Sequence, residues 1–464
     1  MIKEQIMMIN ISFANFSQRQ SVLMILCFAV IGLAIGAVAL GGFWSLPAIA
    51  VVAAIALFFF LRRPALLFAF YCASILFESI LVLQGWEGVT MTRYLGFGAG
   101  GLFLAQMLRL RRVKLPPPAV MAWAGLFAWG AISVLWAVEA EQAIRSLWIH
   151  VRFFAVYVVA VMYPFRQPEV DWVKRAIMLS GVLTGILILY LYASQITFMD
   201  SVRASLVLGE RVADPNHTAA SLLLPFSLFL SATLSVRRIK LSSHILPLGI
   251  LFAVIVLSGS RGGLLGLAVA VISLFIMHFG QHWKQKMKVV AVTVGGAVAG
   301  WLMWPLLPVE LTQRFLLAEI IAGGGSGRLD IWTVGISAWL ANPIVGYGFG
   351  SFGAIHTLWE GSWAVAHNIY LQLLVEMGIV GLVLLLIALG LGYNAHAKSS
   401  LERGATAGFL AVLGASFFLG TLYFDNFWLT LIMVEITRRV RPSVPAHELV
   451  SPEHSAVQTH IANG

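Results

Sequence analysis

Apolar runs long enough to cross a bilayer recur along almost the whole of this chain, and they restrict its fold more than any other feature. Lipid offers no hydrogen-bond partner to a peptide group, so a chain that spans it must fold as helices or as a closed barrel. Runs of about 20 residues, the helical length that crosses some 30 Å of hydrocarbon, select the helix. Candidate spans cover 21–40, 42–61, 65–83, 94–108, 119–137, 143–163, 176–194, 217–236, 245–260, 263–279, 288–304, 369–391, 405–423 and 427–437. The expectation is an all-α polytopic membrane protein of about 12–14 transmembrane helices. Residues 1–437 form one transmembrane unit, interrupted by a large polar loop at 305–368, ahead of the third-last expected helix. Residues 438–464, with Pro442, Pro445 and Pro452 and no apolar run, read as a disordered cytoplasmic tail.

Only 11% of the 464 residues are charged, against about 25% in soluble domains. A net charge of +10 would suggest nucleic acid in a soluble protein. Here it has a topological source, because cytoplasmic loops of membrane proteins are rich in Lys and Arg. Basic residues fall in alternate connections: Arg62–Arg63, Arg109–Lys114, Arg166–Arg175, Arg237–Lys240, Lys284–Lys288, Lys398–Arg403 and Arg438–Arg441. These connections and both termini are expected in the cytoplasm, with no nucleic-acid partner. Cys27 and Cys72 lie inside apolar runs and imply no disulfide framework.

The opposite connections contain no lysine, yet carry Arg93, Arg203, Arg211, Arg261, Arg314 and Arg328. Topology does not account for arginine on that side. Guanidinium forks suit phosphate oxygens, so the expected ligand is a phosphate-bearing substrate at the outer membrane surface; the alternative is a set of solvated or headgroup-contacting residues. Arg145 and, two turns deeper, Arg152 add positive charge on the next helix, with Glu78 as a possible partner for Arg152.

Four stretches hold the candidate chemistry. His367-Asn368 precedes an apolar run with Tyr370 and Glu376, which puts a proton-accepting imidazole at a helix N-terminus. Arg203 and Arg211 precede the Asp214-Pro215-Asn216 turn, where Asn216 is a candidate helix cap. Ser258-Gly259-Ser260-Arg261-Gly262-Gly263 is either a tight inter-helix turn or a backbone cradle that Arg261 closes. Gly323 to Arg328 reads as a mobile clamp, and Asn342 to Phe352, with Gly346, Gly348 and Gly350, as a second flexible run. Trp332, Trp339, Tyr347, Trp359 and Trp363 offer aromatic surface for the interface or for sugar stacking. The outer carboxylates lack metal-ligand spacing, so neither a metal nor another cofactor is expected.

His367-Asn368 with Tyr370, Glu376-Met377-Gly378-Ile379-Val380-Gly381 and Gly346-Tyr347-Gly348-Phe349-Gly350 resembles the bacterial O-antigen ligase and polymerase superfamily. Gly327-Arg328 before Trp332, Ser260-Arg261-Gly262 and the Asp214-Pro215-Asn216 turn are similar to it as well, over roughly residues 200–390. Among its members the chain looks most like an O-antigen ligase. The resemblance implies an inverting glycosyltransferase of lipopolysaccharide biosynthesis in the bacterial inner membrane, with a periplasmic active site. It implies an undecaprenyl-diphosphate-linked O-antigen donor and a lipid A-core acceptor among membrane lipids. His367 is then the base, Arg261 and Arg328 the essential arginines, and Arg203 or its rival Arg211 the arginine before the turn. Arg145, Arg152, Asn368 and Tyr370 complete the expected substrate-binding set. A polymerase of lipid-linked repeats and a protein O-oligosaccharyltransferase share these motifs. A lipid or polysaccharide transporter is the non-enzyme alternative, and it would instead concentrate ionisable residues at the midplane.

Overall fold

Backbone hydrogen bonding decides the architecture: the regular structure among the described residues is helical apart from a two-stranded ribbon, Val207–Leu208 (β1) paired antiparallel with Arg211–Val212 (β2). The computed structural model describes residues 58–78, 80–81, 90–208, 211–236, 238–278, 283–316 and 327–440. The first expected span and residues 441–464 lie outside them. The helices are α1 (Pro64–Ser74), α2 (Met91–Leu110), α3 (Pro118–Ser133), α4 (Ala140–Met162), α5 (Gln167–Ala193), α6 (Pro215–Ser235), α7 (Leu246–Leu257) and α8 (Arg261–His278). They continue with α9 (Trp283–Met303), α10 (Val309–Gln313), α11 (Arg328–Ala341), α12 (Phe352–Glu360), α13 (Ile369–Gly392), α14 (Ser400–Ala415) and α15 (Asp425–Arg439). Among the described residues six helices are long and apolar enough to cross a membrane: α3 with its continuation to Trp136, α4, α5, α6, α8 and α13. The protein is all-α and polytopic. Shorter apolar helices, including α1 and α7, pack among them.

The centre of the bundle is α6, α8 and α14, joined through small residues. A Cβ on Gly266 of α8 would lie 2.4 Å from Leu223 and 2.7 Å from the Ala411 carbonyl, and one on Gly408 of α14 would lie 2.7 Å from Leu224. Close backbone approach of this kind is how helices associate where lipid removes the hydrophobic drive. The short run at 427–437 is part of α15, which is buried over Asp425–Thr437 and therefore surrounded by protein.

Basic segments meet at one end. Lys114 Nζ donates to the Arg439 carbonyl at 3.1 Å, Arg439 Nη1 to Val161 O at 2.6 Å, and Lys288 Nζ to Val236 O. Helix α15 continues two residues into the expected tail, where Arg438 pairs with the buried Glu435 carboxylate at 2.7 Å. The first turns of α6, α8, α13 and α15 lie at the opposite end, which fixes where the outer arginines gather.

The glycine run before α12 differs from the flexible loop expected of it. Helix α13 is broken at Gly378, where φ is +64° and ψ −166°. The break frees carbonyls inside an apolar segment, and the run supplies their donors: Tyr347 N to Val375 O at 3.1 Å and Gly348 N to Glu376 O at 2.7 Å. In return Ile379 N donates to Pro343 O at 2.9 Å. The contact is tight enough that a Cβ on Gly378 would lie 2.0 Å from the Ile344 oxygen. Glu376, 1% exposed, fastens the same junction by accepting from Gln372 Nε2 at 3.1 Å and Phe352 N at 3.4 Å. Trp332, Trp339 and Tyr347 pack around a small second core with Phe352 and Val375, and only Trp359 and Trp363 of the expected aromatic surface are exposed.

Gly378→Ala combines a left-handed backbone, about 1–3 kcal/mol, with a collision against backbone that costs a similar amount. Gly361 also has positive φ, +72°, but its Cβ would meet open space. Thermal unfolding in detergent should place Gly378→Ala at least about 2 kcal/mol below Gly361→Ala; equal midpoints would contradict the packed break.

Candidate functional site

Asp214 begins α6 as its cap: Oδ1 accepts from Asn216 N at 2.7 Å and from His217 N at 3.2 Å. The expectation that Asn216 caps this helix is corrected, because its Oδ1 instead accepts from Arg203 Nη2 at 2.9 Å. Arg203 is only 9% exposed and also donates through Nε to Ser258 O at 2.8 Å. That carbonyl belongs to the turn between α7 and α8, in which Gly259 takes φ +62°. The turn reverses the chain so that Arg261 begins α8, and Arg261 Nε donates to the Arg314 carbonyl at 3.0 Å. Arg314 follows α10; its Nε is buried and has no hydrogen-bond partner among the described residues. Arg328, at the start of α11, stands 5.8 Å over the Phe418 ring.

These arginines are electrostatic neighbours: Arg203 of Arg314 and Arg328, and Arg328 of Arg261 and Arg314. Asp214 opposes Arg203 and Arg328. Among the described residues, four guanidiniums thus face one carboxylate. Burial, and then Arg314, push the Arg203 pKa down to about 10; burial and then Arg261 lower that of Arg328. A guanidinium keeps its proton throughout the neutral range, so the cluster holds positive charge at an energetic cost that an anion would relieve.

His367 precedes α13 with φ +48°, a left-handed conformation that costs a non-glycine residue about 1–3 kcal/mol. Its neighbours fix it there. Trp332 Nε1 donates to Ala366 O at 2.8 Å, and the Asn368 side chain caps α13 by accepting from Tyr370 N at 3.0 Å and Leu371 N at 3.1 Å. Tyr370 OH donates to Leu413 O at 3.0 Å, tying α13 to α14. Asn368 and Tyr370 therefore orient the histidine by holding the backbone. The imidazole lies within electrostatic reach of Arg328, Asp214 and His217. Burial first and Arg328 second lower the His367 pKa, partly offset by Asp214.

The structure thus brings Arg203, Arg261, Arg328 and His367 to one place. Three arginines expected there are elsewhere. Arg211 Nη1 donates to Ile80 O at 2.7 Å. Arg145 is exposed and paired with Glu141 at 2.8 Å, one turn away on α4. Arg152 lies in a cleft with Tyr71, Arg93 and Asp425. Two residues not expected at the site are present: Arg314, which the sequence marks only as one of six outer arginines, and His217, which follows the capping turn and stacks on Phe424 at 3.6 Å between centroids. Among the described residues no group of three or more His, Cys, Asp or Glu side chains is arranged to hold a metal.

The family described as O-antigen ligase matches residues 246–386, a stretch that includes Arg261, Arg314, Arg328 and His367. An O-antigen ligase of Pseudomonas aeruginosa is 24% identical over 299 residues, 63% of this chain and 69% of that protein. A Rickettsia felis protein bearing a polysaccharide-ligase name is 25% identical over 274 residues, 56% of this chain and 64% of its own length. Its Rickettsia conorii counterpart is 23% identical over 272 residues, 56% of this chain and 63% of that protein. The chain belongs to the O-antigen ligase superfamily. Membership in the O-antigen ligase superfamily connects this multi-pass membrane protein with polysaccharide ligation and, at that level, with enzymatic glycan transfer.

The lowered pKa of His367 predicts a titration, followed by NMR of histidine-labelled protein, that falls below the usual value of about 6.5. Arg328→Gln removes a positive neighbour and should move that titration upward. An unchanged midpoint would show that Arg328 does not act on the ring.

Proposed function

We propose that the protein is an O-antigen ligase that moves O-antigen polysaccharide from undecaprenyl diphosphate to a sugar hydroxyl of lipid A-core, at the periplasmic face of the inner membrane. The observation that carries the reading is the gathering of Arg203, Arg261, Arg314 and Arg328 beside His367, at the end of the bundle opposite the basic Lys114 and Arg439 junction. Charge asymmetry favours the basic end as cytoplasmic, which turns the cluster to the periplasm.

A lipid-linked diphosphate diester carries two negative charges, and the guanidiniums match them without an added cation. The acceptor oxygen attacks C1 of the donor sugar from the face opposite the diphosphate. The bond from C1 to the diphosphate oxygen breaks with inversion, and the electron pair leaves on undecaprenyl diphosphate. His367 accepts the hydroxyl proton, and its lowered pKa keeps the ring neutral for that step. The arginines stabilise the charge that builds on the departing oxygen. Asp214 limits repulsion among them and holds the first turn of α6.

His367→Gln should lower transfer by about 10²–10⁴-fold with folding intact, measured with purified protein, lipid-linked glycan and lipid A-core; full turnover would remove it as the base. Arg261→Gln, Arg314→Gln and Arg328→Gln should each lower kcat/KM for donor by roughly 10–100-fold, as expected for losing a charged hydrogen bond. Unchanged donor kinetics in all three would remove the clamp. In a deletion strain, polymer missing from lipid A-core while lipid-linked polymer accumulates supports a ligase. Accumulation of a single lipid-linked repeat would make it a polymerase.

A further inference from the structure

The Trp363 side chain is 68% exposed and yet fixed in place, and the proposed transfer makes no use of it. A Cβ on Gly353 would lie 2.7 Å from Trp363 Cε2 and 2.9 Å from its Cδ1, so the five-membered ring of the indole rests against α12 where a side chain would begin. Any residue but glycine at 353 would push the ring away. The backbone that carries it is held at both ends. His356 Nδ1 donates to the Ser362 carbonyl at 2.6 Å, just past the left-handed turn at Gly361, and Trp332 Nε1 donates to the Ala366 carbonyl at 2.8 Å.

Between these anchors residues 363–366 run without a turn, and their exposure alternates: Trp363 and Val365 are exposed, Ala364 is half-buried and Ala366 is buried. The exposed side of the segment leads to His367, whose Cα is at most about 14 Å from that of Trp363 along the chain. Glu360 and Ser362, close to Trp363 in the chain, are exposed and carry hydrogen-bonding groups. An open, immobilised indole with polar groups close by suits a pyranose, whose C–H face is apolar and whose rim of hydroxyls seeks hydrogen bonds. Anchoring in the headgroup layer calls for an aromatic ring but not for a fixed one.

We propose that Trp363 is a stacking platform for a pyranose ring of the glycan, a few sugar units from the bond that forms beside His367. The assignment rests on the glycan transfer proposed above and adds a sugar subsite to it. Gly353 is a positioning residue that acts through the indole. The stacked ring belongs to the donor polysaccharide or to the core of the acceptor, and binding distinguishes the two.

The test is isothermal titration calorimetry of the full chain in detergent. The probes are lipid-free O-antigen polysaccharide and lipid-free core oligosaccharide, each released by mild acid from the strain that carries the protein. Wild type should bind one of them, and Trp363→Ala should weaken that binding about tenfold, the scale of a lost aromatic contact. Trp363→Phe should keep most of it. Gly353→Val should reproduce the loss, and in the Trp363→Ala background, where the collision is gone, it should add nothing. A loss seen with O-antigen puts the platform on the donor side, and one seen with core puts it on the acceptor side. In transfer assays Trp363→Ala should raise KM for that same glycan with kcat unchanged, because the stack exists before and during the reaction. Undiminished affinity in folded Trp363→Ala, no binding of either glycan by wild type, or a lower kcat at constant KM would overturn the platform. Quenching by brominated phosphatidylcholine vesicles that disappears in Trp363→Ala would make the ring a membrane anchor instead. Calorimetry needs no turnover, so failure of the arginine and histidine clamp in transfer assays would leave this binding result standing.

Discussion

Guanidinium groups repel one another, and keeping four of them together, one buried and three half-buried, requires a framework that holds them against that repulsion. Here the framework is mostly backbone. Arg203 is tied to Ser258 O and Asn216, Arg261 to the Arg314 carbonyl, and Asp214 supplies the opposing charge while capping α6. Carbonyl partners leave the guanidinium charge unneutralised. A carboxylate at each arginine would have been more stable and would have filled the place of an incoming anion. The cluster is therefore preorganised for negative charge, which is the condition for stabilising a leaving diphosphate without reorganisation during the reaction.

The same logic runs through the histidine and the broken helix beneath it. His367 occupies a strained backbone conformation because Trp332 and the Asn368 cap fix the residues on both sides. Helix α13 tolerates its break at Gly378 because the glycine run from Gly346 to Gly350 returns hydrogen bonds to the freed carbonyls. Irregular backbone at membrane depth is stable only when protein satisfies it. That requirement makes the polar insert between α9 and α13 a structural part of the bundle, and it couples α11, which carries Arg328, to α13, which follows His367.

Sequence and structure agree most closely where local chemistry dictates the outcome. The apolar runs from 94–108 to 369–391 correspond to helices, the Ser258–Gly263 stretch is the turn between α7 and α8, and His367 stands next to a helix cap. Disagreement concentrates where position around and along a helix matters. Arg145 and Arg314 lie on the same side by topology, yet one is exposed on α4 and the other is half-buried in the cluster with its Nε out of solvent; only helix packing separates them. Arg203 and Arg211 are eight positions apart, and the β1–β2 ribbon turns one towards Asn216 and the other towards Ile80. The break at Gly378 is hidden in an apolar run, since glycine is common in membrane helices. The meeting of Arg152 with Asp425 joins segments far apart in the chain, and no short-range pattern announces it.

The account rests on where a lipid-linked diphosphate binds. A structure with an uncleavable glycosyl prenyl diphosphate bound would locate it directly. The phosphates should lie within about 4 Å of the guanidiniums of at least three of Arg203, Arg261, Arg314 and Arg328, with the sugar on the His367 side. Phosphates bound in the Arg93 and Arg152 cleft, or a sugar remote from His367, would contradict it.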